Sequence, residues 1–122
     1  PESSKRIDDK DLLEIPKVYY GRGRFWVATK DEKIIGTVAI RDMSNNVAKL
    51  NRMFVLVDYH GGGVGQRLIN EAIDFAKEQN FTEIILNTNI LMCRAHHFYE
   101  KNGFTKFDED SEEYHYKLKL NH

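Results

Sequence analysis

The chain has 122 residues, of which 41% are hydrophobic and 30% are charged, with 18 basic and 19 acidic side chains. These values describe one globular domain and exclude a disordered, collagen-like or coiled-coil chain. The nearly balanced charge argues against nucleic-acid binding. The longest apolar run, Met53–Val57, is far shorter than the ~20 residues of a membrane-spanning helix.

The cysteine content indicates a reducing compartment. Cys93 is the only cysteine, so it cannot form a disulfide within the chain. No apolar stretch follows a basic amino terminus, as a secretory signal would require. We therefore expect a cytoplasmic protein without a membrane segment.

The amino-terminal segment, residues 1–24, is poorly defined by its pattern. Pro1–Lys10 is polar and charged, and it is expected to fray. Four apolar residues have the spacing of a short helix, which Pro16 weakens: Leu12, Leu13, Ile15 and Val18. Three strands are predicted next, and the short polar turns between them indicate antiparallel pairing: Phe25–Thr29, Ile34–Arg41 and Val47–Val55.

After Val57 the apolar period changes from that of a strand to that of a helix. A glycine-dense loop, Asp58–Gly65, precedes an amphipathic helix that ends near Asn80. A strand, a second helix and two hairpin strands complete the prediction: Glu83–Thr88, Arg94–Lys101, Phe104–Asp108 and Tyr114–Leu120. This order predicts an α/β (α+β) domain with a mixed, largely antiparallel sheet of about six strands and helices on both faces.

The glycine loop is a candidate anion site. Gly61, Gly62, Gly63 and Gly65 stand between a strand and a helix, where glycine lets backbone N–H groups approach a ligand without Cβ interference. The start of the helix adds unpaired N–H donors and a partial positive charge, which suit a phosphate or pyrophosphate. A tight turn alone needs fewer glycines than this.

Three common uses of a glycine loop do not fit. A mononucleotide P-loop needs Gly-Lys-Ser/Thr, whereas Gln66 and Arg67 follow Gly65. The dinucleotide fingerprint is not matched, and the preceding antiparallel strands are wrong for it. An esterase oxyanion loop needs a serine within Gly-x-Ser-x-Gly, and none of the four serines is so placed.

Two segments together resemble the GNAT superfamily of N-acetyltransferases. Leu50–Val55 followed by Tyr59–Leu68 is similar to the family's acetyl-CoA-binding motif, a strand that runs into [Q/R]-x-x-G-x-[G/A] and a helix. Ala95 and Phe98–Phe104 are similar to the second hallmark, A-x-x-F-Y-E-K-x-G-F. The likeness covers about Phe25–Leu120. It implies one acyl-CoA N-acyltransferase-like domain over residues 1–122, with a front end that is short or missing.

The resemblance also implies ligands and site residues. Acetyl-CoA would be the cosubstrate, no metal would be needed, and a primary amine of a small molecule or peptide would accept the acetyl group. The pantetheine arm would lie where two strands splay apart, and Tyr99 would lie near the sulfur. The implied cofactor-binding residues are Met53, Phe54, Val55, His60, Gly61, Gly62, Gly63, Val64, Gly65, Gln66 and Asn89. A homodimer stays open as an assembly.

Three positions depart from the family pattern. His60 replaces the preferred glutamine or arginine but keeps a hydrogen-bond donor. Met92 replaces an asparagine that contacts the arm, for which Asn89 is the candidate substitute. Lys49 replaces a glutamate that relatives use as a base.

Acetyl transfer to an amine needs no enzyme nucleophile, because a neutral amine attacks the thioester directly. We assign Tyr99 as the acid, since a phenol of pKa ~10 can protonate the departing thiolate. A backbone N–H near Val55 would stabilise the oxyanion. The base is left unassigned among a water chain, His60, His96 and Glu100.

Other features have plainer interpretations. Cys93, with His96 and His97 at helical spacing, has too few potential ligands nearby for a metal site and is interpreted as a small packing residue. The acidic run Asp108–Glu113 and the basic loop Gly21–Arg24 are interpreted as surface; attraction of a cationic amine and a lip of the acceptor site are the alternatives. A non-catalytic CoA-binding regulatory module and a nucleotide-phosphate binder are the alternative functions.

Overall fold

The structure, a computed structural model, describes residues 12–14 and 22–121. In chain order its strands and α-helices are β1 Leu12–Glu14, β2 Arg24–Lys30, β3 Lys33–Asp42, β4 Val47–Val55, α1 Val64–Glu78, β5 Glu83–Asn89, α2 Cys93–Lys101, β6 Thr105–Glu109 and β7 Glu113–Lys119, and one turn of 3-10 helix, Val57–Tyr59, lies between β4 and α1. The strands form one sheet in the order β1-β2-β3-β4-β5-β7-β6. Each neighbouring pair is antiparallel except β4 and β5. The predicted class, α/β (α+β) with a mixed and largely antiparallel sheet, is confirmed.

The first strand lies where the sequence predicted part of a short helix. β1 pairs with β2, with Leu12 opposite Ala28 and Glu14 opposite Trp26. Hydrogen bonds to a neighbouring strand therefore decide the backbone here, against the local helical spacing. The helix prediction is wrong for Leu12 and Leu13, and this strand brings the sheet to seven strands. The rest of that predicted helix, and Pro1–Lys10, lie outside the described residues.

Both described helices pack on one face of the sheet, whereas the sequence predicted helices on both. The chain crosses from β4 to β5 through α1 and from β5 to β6 through α2, and each crossover joins parallel strands. Such crossovers are right-handed, and these two progress across the sheet in the same direction, so their helices lie on the same side. Phe75 of α1 contacts Trp26 with ring centroids 5.4 Å apart, and Tyr99 of α2 contacts Tyr116 at 6.4 Å.

Both helices end with a residue in the left-handed region. Asn80, with φ of 64°, follows α1, and Gly103, with φ of 94°, follows α2. The N–H of each of these two residues donates to a carbonyl of its own helix. The N–H of the residue that follows donates to the carbonyl one position nearer the start of the helix, which is Ala76 O at 3.1 Å in α1 and Tyr99 O at 3.0 Å in α2. This is the Schellman arrangement, as the sequence predicted for Asn102-Gly103. Neither described helix has the length and apolarity needed to cross a membrane.

The core lies between α1 and the middle strands, and one glycine sets their separation. A Cβ on Gly36 of β3 would lie 2.9 Å from the backbone oxygen of Phe54, closer than real Cβ atoms come, and 3.0 Å from Leu68 Cδ1. Glycine therefore lets α1 approach β3 closely. The buried face of α1 consists of Val64, Leu68, Ile69, Ala72, Phe75 and Ala76.

The strands β4 and β5 separate after three paired residues. Their pairing ends with Lys49 opposite Ile85, although both strands continue. A bulge at Arg52, whose φ is 56°, bends β4, because Asn51–Phe54 of β4 spans only Thr37–Ala39 of β3. The resulting gap between β4 and β5 opens toward the glycine loop and the start of α2.

Candidate functional site

A cleft of about 710 Å³ occupies the open end of the gap between β4 and β5. The end of β4, the glycine loop, the first turn of α1, the β5–α2 turn and α2 contribute to it. Its lining residues are Met53, Phe54, Val55, Tyr59, His60, Gly61, Gly63, Gly65, Gln66, Leu91, Met92, Cys93, Arg94, Ala95, Phe98, Tyr99 and Lys101. One side is therefore rich in backbone groups and the other in side chains.

The glycine loop presents backbone N–H groups to this cleft. Gly61 and Gly63 have φ of 80° and 95°, in the left-handed region that favours glycine. No side chain caps the start of α1, and its first turn carries no acidic residue. The first N–H groups of a helix have no partner within it. Those of α1 are therefore available to an anionic ligand.

The cleft is cationic. Arg94 and Lys101 line it from α2, and no acidic residue in the described part of the chain does so. Together with the positive end of the α1 dipole, these side chains favour a ligand that carries phosphate groups. This electrostatic attraction acts on the phosphate groups and does not depend on the type of nucleotide that carries them.

His60 connects the glycine loop to the end of β4. Its Nε2 lies 2.9 Å from Val55 O, and its side chain lines the cleft. Since Leu56 N donates to Ile35 O of β3 at 2.8 Å, the N–H of Val55, one residue earlier, points the other way, into the gap. An unpaired strand-edge donor of this kind suits a carbonyl oxygen.

Tyr99 lines the cleft from α2 and is only 7% exposed. Its ring packs edge-on against Phe98 and Phe104 and tilted against Tyr116, with centroids 5.6, 5.8 and 6.4 Å apart. Burial raises the pKa of Tyr99 to about 12. The hydroxyl therefore stays protonated through the physiological range and is present as a proton donor.

The structure brings together most of the site residues that the sequence predicted. Nine line the cleft: Met53, Phe54, Val55, His60, Gly61, Gly63, Gly65, Gln66 and Tyr99. Three do not. Val64 is fully buried under the sheet, Gly62 donates its N–H to Tyr59 O at 3.2 Å, and Asn89 Oδ1 accepts the N–H of Leu91 at 2.8 Å.

Apart from Tyr99, sequence reasoning missed the contribution of α2 and of the turn before it. Arg94, Phe98 and Lys101 recur at spacings of four and three, so they form one stripe of the helix, and all three line the cleft. Leu91 and Met92 extend this wall, with 82% and 55% exposure. The helical spacing of the α2 residues could have been recognised in the sequence. The exposure of the turn could not, because it depends on where β5 ends relative to the gap.

The candidates for a base are mostly engaged elsewhere. His96 Nε2 lies 2.9 Å from Asn89 O, and its ring packs on Tyr114 at 4.8 Å. Glu100 accepts the hydroxyl hydrogen of Tyr116 at 2.7 Å. Of the three side chains named as candidates, only His60 lines the cleft.

The β6–β7 hairpin brings Asp110, Glu113 and His115 together, with potential ligand atoms within 4.8 Å of one another. Asp110 is engaged within the hairpin: it accepts the N–H groups of Glu112 and Glu113, each at 2.9 Å, and lies 3.1 Å from His115 Nε2. These bonds, that from Glu112 first, lower the pKa of Asp110 to about 2. The cluster is a hydrogen-bonded turn of an exposed hairpin.

Comparison with known proteins identifies the family. Residues 21–106 match the family model of the acetyltransferase (GNAT) domain. The chain is 37% identical over 97 residues to N-acetylaspartate synthetase of Xenopus tropicalis, covering 77% of this chain and 36% of that protein. It is 30% identical over 103 residues to human N-acetyltransferase 8B, covering 79% and 45%. This chain thus spans less than half the length of these relatives.

A solved structure agrees with the fold. The PaiA N-acetyltransferase of Thermoplasma acidophilum, in complex with coenzyme A, superposes with a TM-score of 0.75 at 26% identity, over 80% of this chain and 61% of that one. A match to the family model over residues 21–106 and relatives named N-acetyltransferases lead to one assignment. The chain belongs to the GNAT family of acetyltransferases.

Proposed function

We propose that this domain transfers the acetyl group of acetyl-CoA directly to a primary amine of a small molecule or peptide. The observation that carries the proposal is the cleft itself, where the uncapped amides of α1 lie on one wall and α2 contributes two cations and a buried, protonated tyrosine to the other. Such a site holds a pyrophosphate at one end and supplies a proton at the other. The single cysteine supports a cytoplasmic location.

The glycine loop would bind the pyrophosphate of acetyl-CoA. The N–H groups of Gly61, Gly63, Gly65 and Gln66 act as donors, and the α2 cations add charge from the facing wall. The edge of β4 at Met53–Val55 that points away from β3 is not paired with β5, and its N–H groups would bind the pantetheine arm as an added strand does. Val55 N–H supports the thioester carbonyl as negative charge develops on it.

Tyr99 would complete the transfer by donating its proton to sulfur. The amine nitrogen forms a bond to the acetyl carbon, the carbon–sulfur bond breaks, and the sulfur receives the tyrosine proton. The amine nitrogen gives up one proton, which returns to Tyr99 through water. The high pKa of Tyr99 does not prevent this, because burial in the same cleft also raises the pKa of a thiol.

The acceptor is proposed as a primary amine because the relatives are N-acetyltransferases. One of them is named for N-acetylaspartate, which makes L-aspartate the first acceptor to test. The exposed apolar wall of Leu91 and Met92 is continuous with the cleft and could equally accommodate a larger amine, so the panel should include benzylamine, spermidine and a peptide with a free amino terminus.

The experiment is acetyl-CoA binding followed by thiol release. Acetyl-CoA at one hundred times its Kd should stabilise the fold by about 2.7 kcal/mol through mass action. Thiol release that requires one of the panel amines supports the transferase. Stabilisation by CoA without thiol release from any amine would favour the non-catalytic regulatory module, and an unchanged melting temperature at millimolar acetyl-CoA would refute CoA binding.

A further inference from the structure

Two amide side chains join the two walls of the cleft. Gln66 lies in the first turn of α1, and Asn102 follows the last residue of α2. Gln66 Nε2 donates to Asn102 Oδ1 at 2.7 Å, and Asn102 Nδ2 lies 3.4 Å from Gln66 Oε1. This partly buried pair therefore connects the helix that follows the glycine loop to the helix that carries Tyr99.

The side-chain amide of Gln66 has no hydrogen left for a phosphate. An amide NH2 group has two N–H donors. Asn102 accepts one of them, and Asn70 Oδ1, one turn further along α1, accepts the other at 2.9 Å. The remaining polar atom, Oε1, is an acceptor, and the oxygens of a pyrophosphate are acceptors as well. Although Gln66 lines the cleft, its side chain is therefore arranged to hold α2 and not to bind the pyrophosphate.

Asn102 extends this connection into α2. Its Nδ2 also donates to Phe98 O at 2.9 Å, so the same side chain bonds to both helices. The ring of Phe98 reaches the start of α1, where a Cβ on Gly65 would lie 3.6 Å from Phe98 Cζ. Tyr99 follows Phe98 directly, with ring centroids 5.6 Å apart. The contact between Gln66 and Asn102 therefore helps to set the distance from the amides of α1 to Tyr99.

We propose that Gln66 and Asn102 are a positioning pair that holds the two walls of the cleft at the separation that acetyl-CoA requires. This inference rests on the proposed function, in which the cosubstrate binds between those walls. Without the pair, α2 would occupy more positions relative to α1, and only a fraction of them would fit the ligand. The apparent Kd rises as that fraction falls. Bound acetyl-CoA contacts both walls itself, so the rate of transfer at saturation should change little.

Leucine substitutions separate this role from direct contact with the ligand and from the stability of α1. Among the described residues Asn102 does not line the cleft, so Asn102→Leu acts on CoA through the position of the walls. We expect Gln66→Leu and Asn102→Leu each to raise the Kd of CoA about fivefold, as for the loss of one hydrogen bond, with kcat within about twofold of the parent. The control Asn70→Leu removes the bond to Gln66 within α1, leaves the bond between the helices and should keep the parental Kd.

Exchange of the two side chains provides the rescue. The double variant Gln66→Asn with Asn102→Gln keeps both amides and the same total number of methylene groups between the helices. It should bind CoA more tightly than either leucine variant. If it does not, the amide pair is not what holds the walls, and the inference fails.

The measurements are calorimetric CoA titration, thiol release at varied acetyl-CoA, and thermal unfolding without ligand to establish that each variant is folded. A parental Kd in Asn102→Leu would overturn the inference and leave the proposed function intact. An equal rise of the Kd in Asn70→Leu would also overturn it, because the stability of α1 would then explain the loss. If the parent does not bind CoA, the proposed function and this inference both fail. If the parent binds CoA but acetylates none of the amines, the proposed transfer fails and the Kd comparison still decides this inference.

Discussion

The two sides of the gap between β4 and β5 hold their functional groups by different means. On the β4 side the groups are backbone N–H donors, and glycines with positive φ, such as Gly63, place them. On the β5 side they are side chains of α2, such as Tyr99, which ring contacts with Phe104 and Tyr116 hold in position. Most substitutions leave the N–H donors of a backbone site in place, except substitutions of its glycines. In a side-chain site, a substitution can remove one functional atom and leave the shape of the site unchanged. The two sides should therefore fail differently.

The largest effect is expected on the side-chain side, for Tyr99→Phe. The ring still fills its place between Phe98 and Phe104, and only the proton donor is lost. A general acid contributes 10²–10⁴-fold, so kcat should fall by about that factor while acetyl-CoA affinity stays close to that of the parent. Pre-steady-state acetyl transfer from pH 6 to 9, measured with CoA binding, checks this.

Two outcomes would contradict the acid role of Tyr99. A parental transfer rate over the whole pH range would make Tyr99 a packing residue. A joint loss of rate and CoA affinity would mean that the hydroxyl anchors the cosubstrate.

On the β4 side, we expect substitution of a glycine to impair CoA binding, and a second glycine of the chain serves as a control. Gly63 and Gly103 have nearly the same φ, 95° and 94°, but only Gly63 lines the cleft. An alanine at either position puts a Cβ in the left-handed region at a cost of about 1–2 kcal/mol. Gly103→Ala should lose at least as much folding stability as Gly63→Ala, because its Cβ would also lie 3.2 Å from Leu118 Cδ1. Only Gly63→Ala should weaken CoA binding, by about tenfold or more.

Calorimetric CoA titration and urea unfolding of both variants measure these two effects. If Gly63→Ala binds CoA as tightly as Gly103→Ala, the loop is a turn without a binding role, and the contrast between the two sides disappears.

The β4 side was readable from the sequence because its parts are consecutive. Strand, glycines and helix start follow one another in Val47–Val55 and Asp58–Gly65, and the spacing alone indicates both the turn and its N–H donors. The Phe98–Gly103 hallmark is also contiguous, and it led to Tyr99.

Apart from Tyr99, the β5 side was not readable, because its contacts join distant elements. The bond between Asn87 and His115 depends on the register of β5 against β7, which no local spacing encodes. The strand at Leu12–Glu14 was missed for the same reason, since pairing with β2 outweighed local helical spacing.

A third test probes how the side-chain wall is held together. Tyr116 donates to Glu100 at 2.7 Å, and burial, followed by this hydrogen bond, raises the pKa of Tyr116 to about 12. A pKa raised above the unfolded value of 10 gives stability that is present below about pH 10 and lost as the pH rises toward 12.

Tyr116→Phe should therefore be less stable than the parent at pH 8, by about 1 kcal/mol for the lost hydrogen bond. The difference should shrink or reverse by pH 11, because only the parent must bury an ionising phenol beside a carboxylate. Urea unfolding of both proteins at the two pH values decides this. An equal stability difference at both pH values would mean that the phenol of Tyr116 does not titrate in this way.

The smallest effect is expected for Cys93→Ala, although Cys93 lines the cleft and is exposed. Direct transfer forms no acyl-enzyme, so the thiol has no covalent role, and an exposed side chain contributes little to packing. We expect kcat and KM within about twofold of the parent and sequential rather than ping-pong kinetics. The test is demanding because Cys93 begins α2, the helix that carries Tyr99, and an acetyl thioester on Cys93 is chemically reasonable at this position. If such a thioester is trapped in the parent, or if Cys93→Ala loses transfer while binding CoA normally, then the α2 wall supplies a nucleophile. Tyr99 would in that case protonate the departing thiolate in a first step that precedes the arrival of the amine.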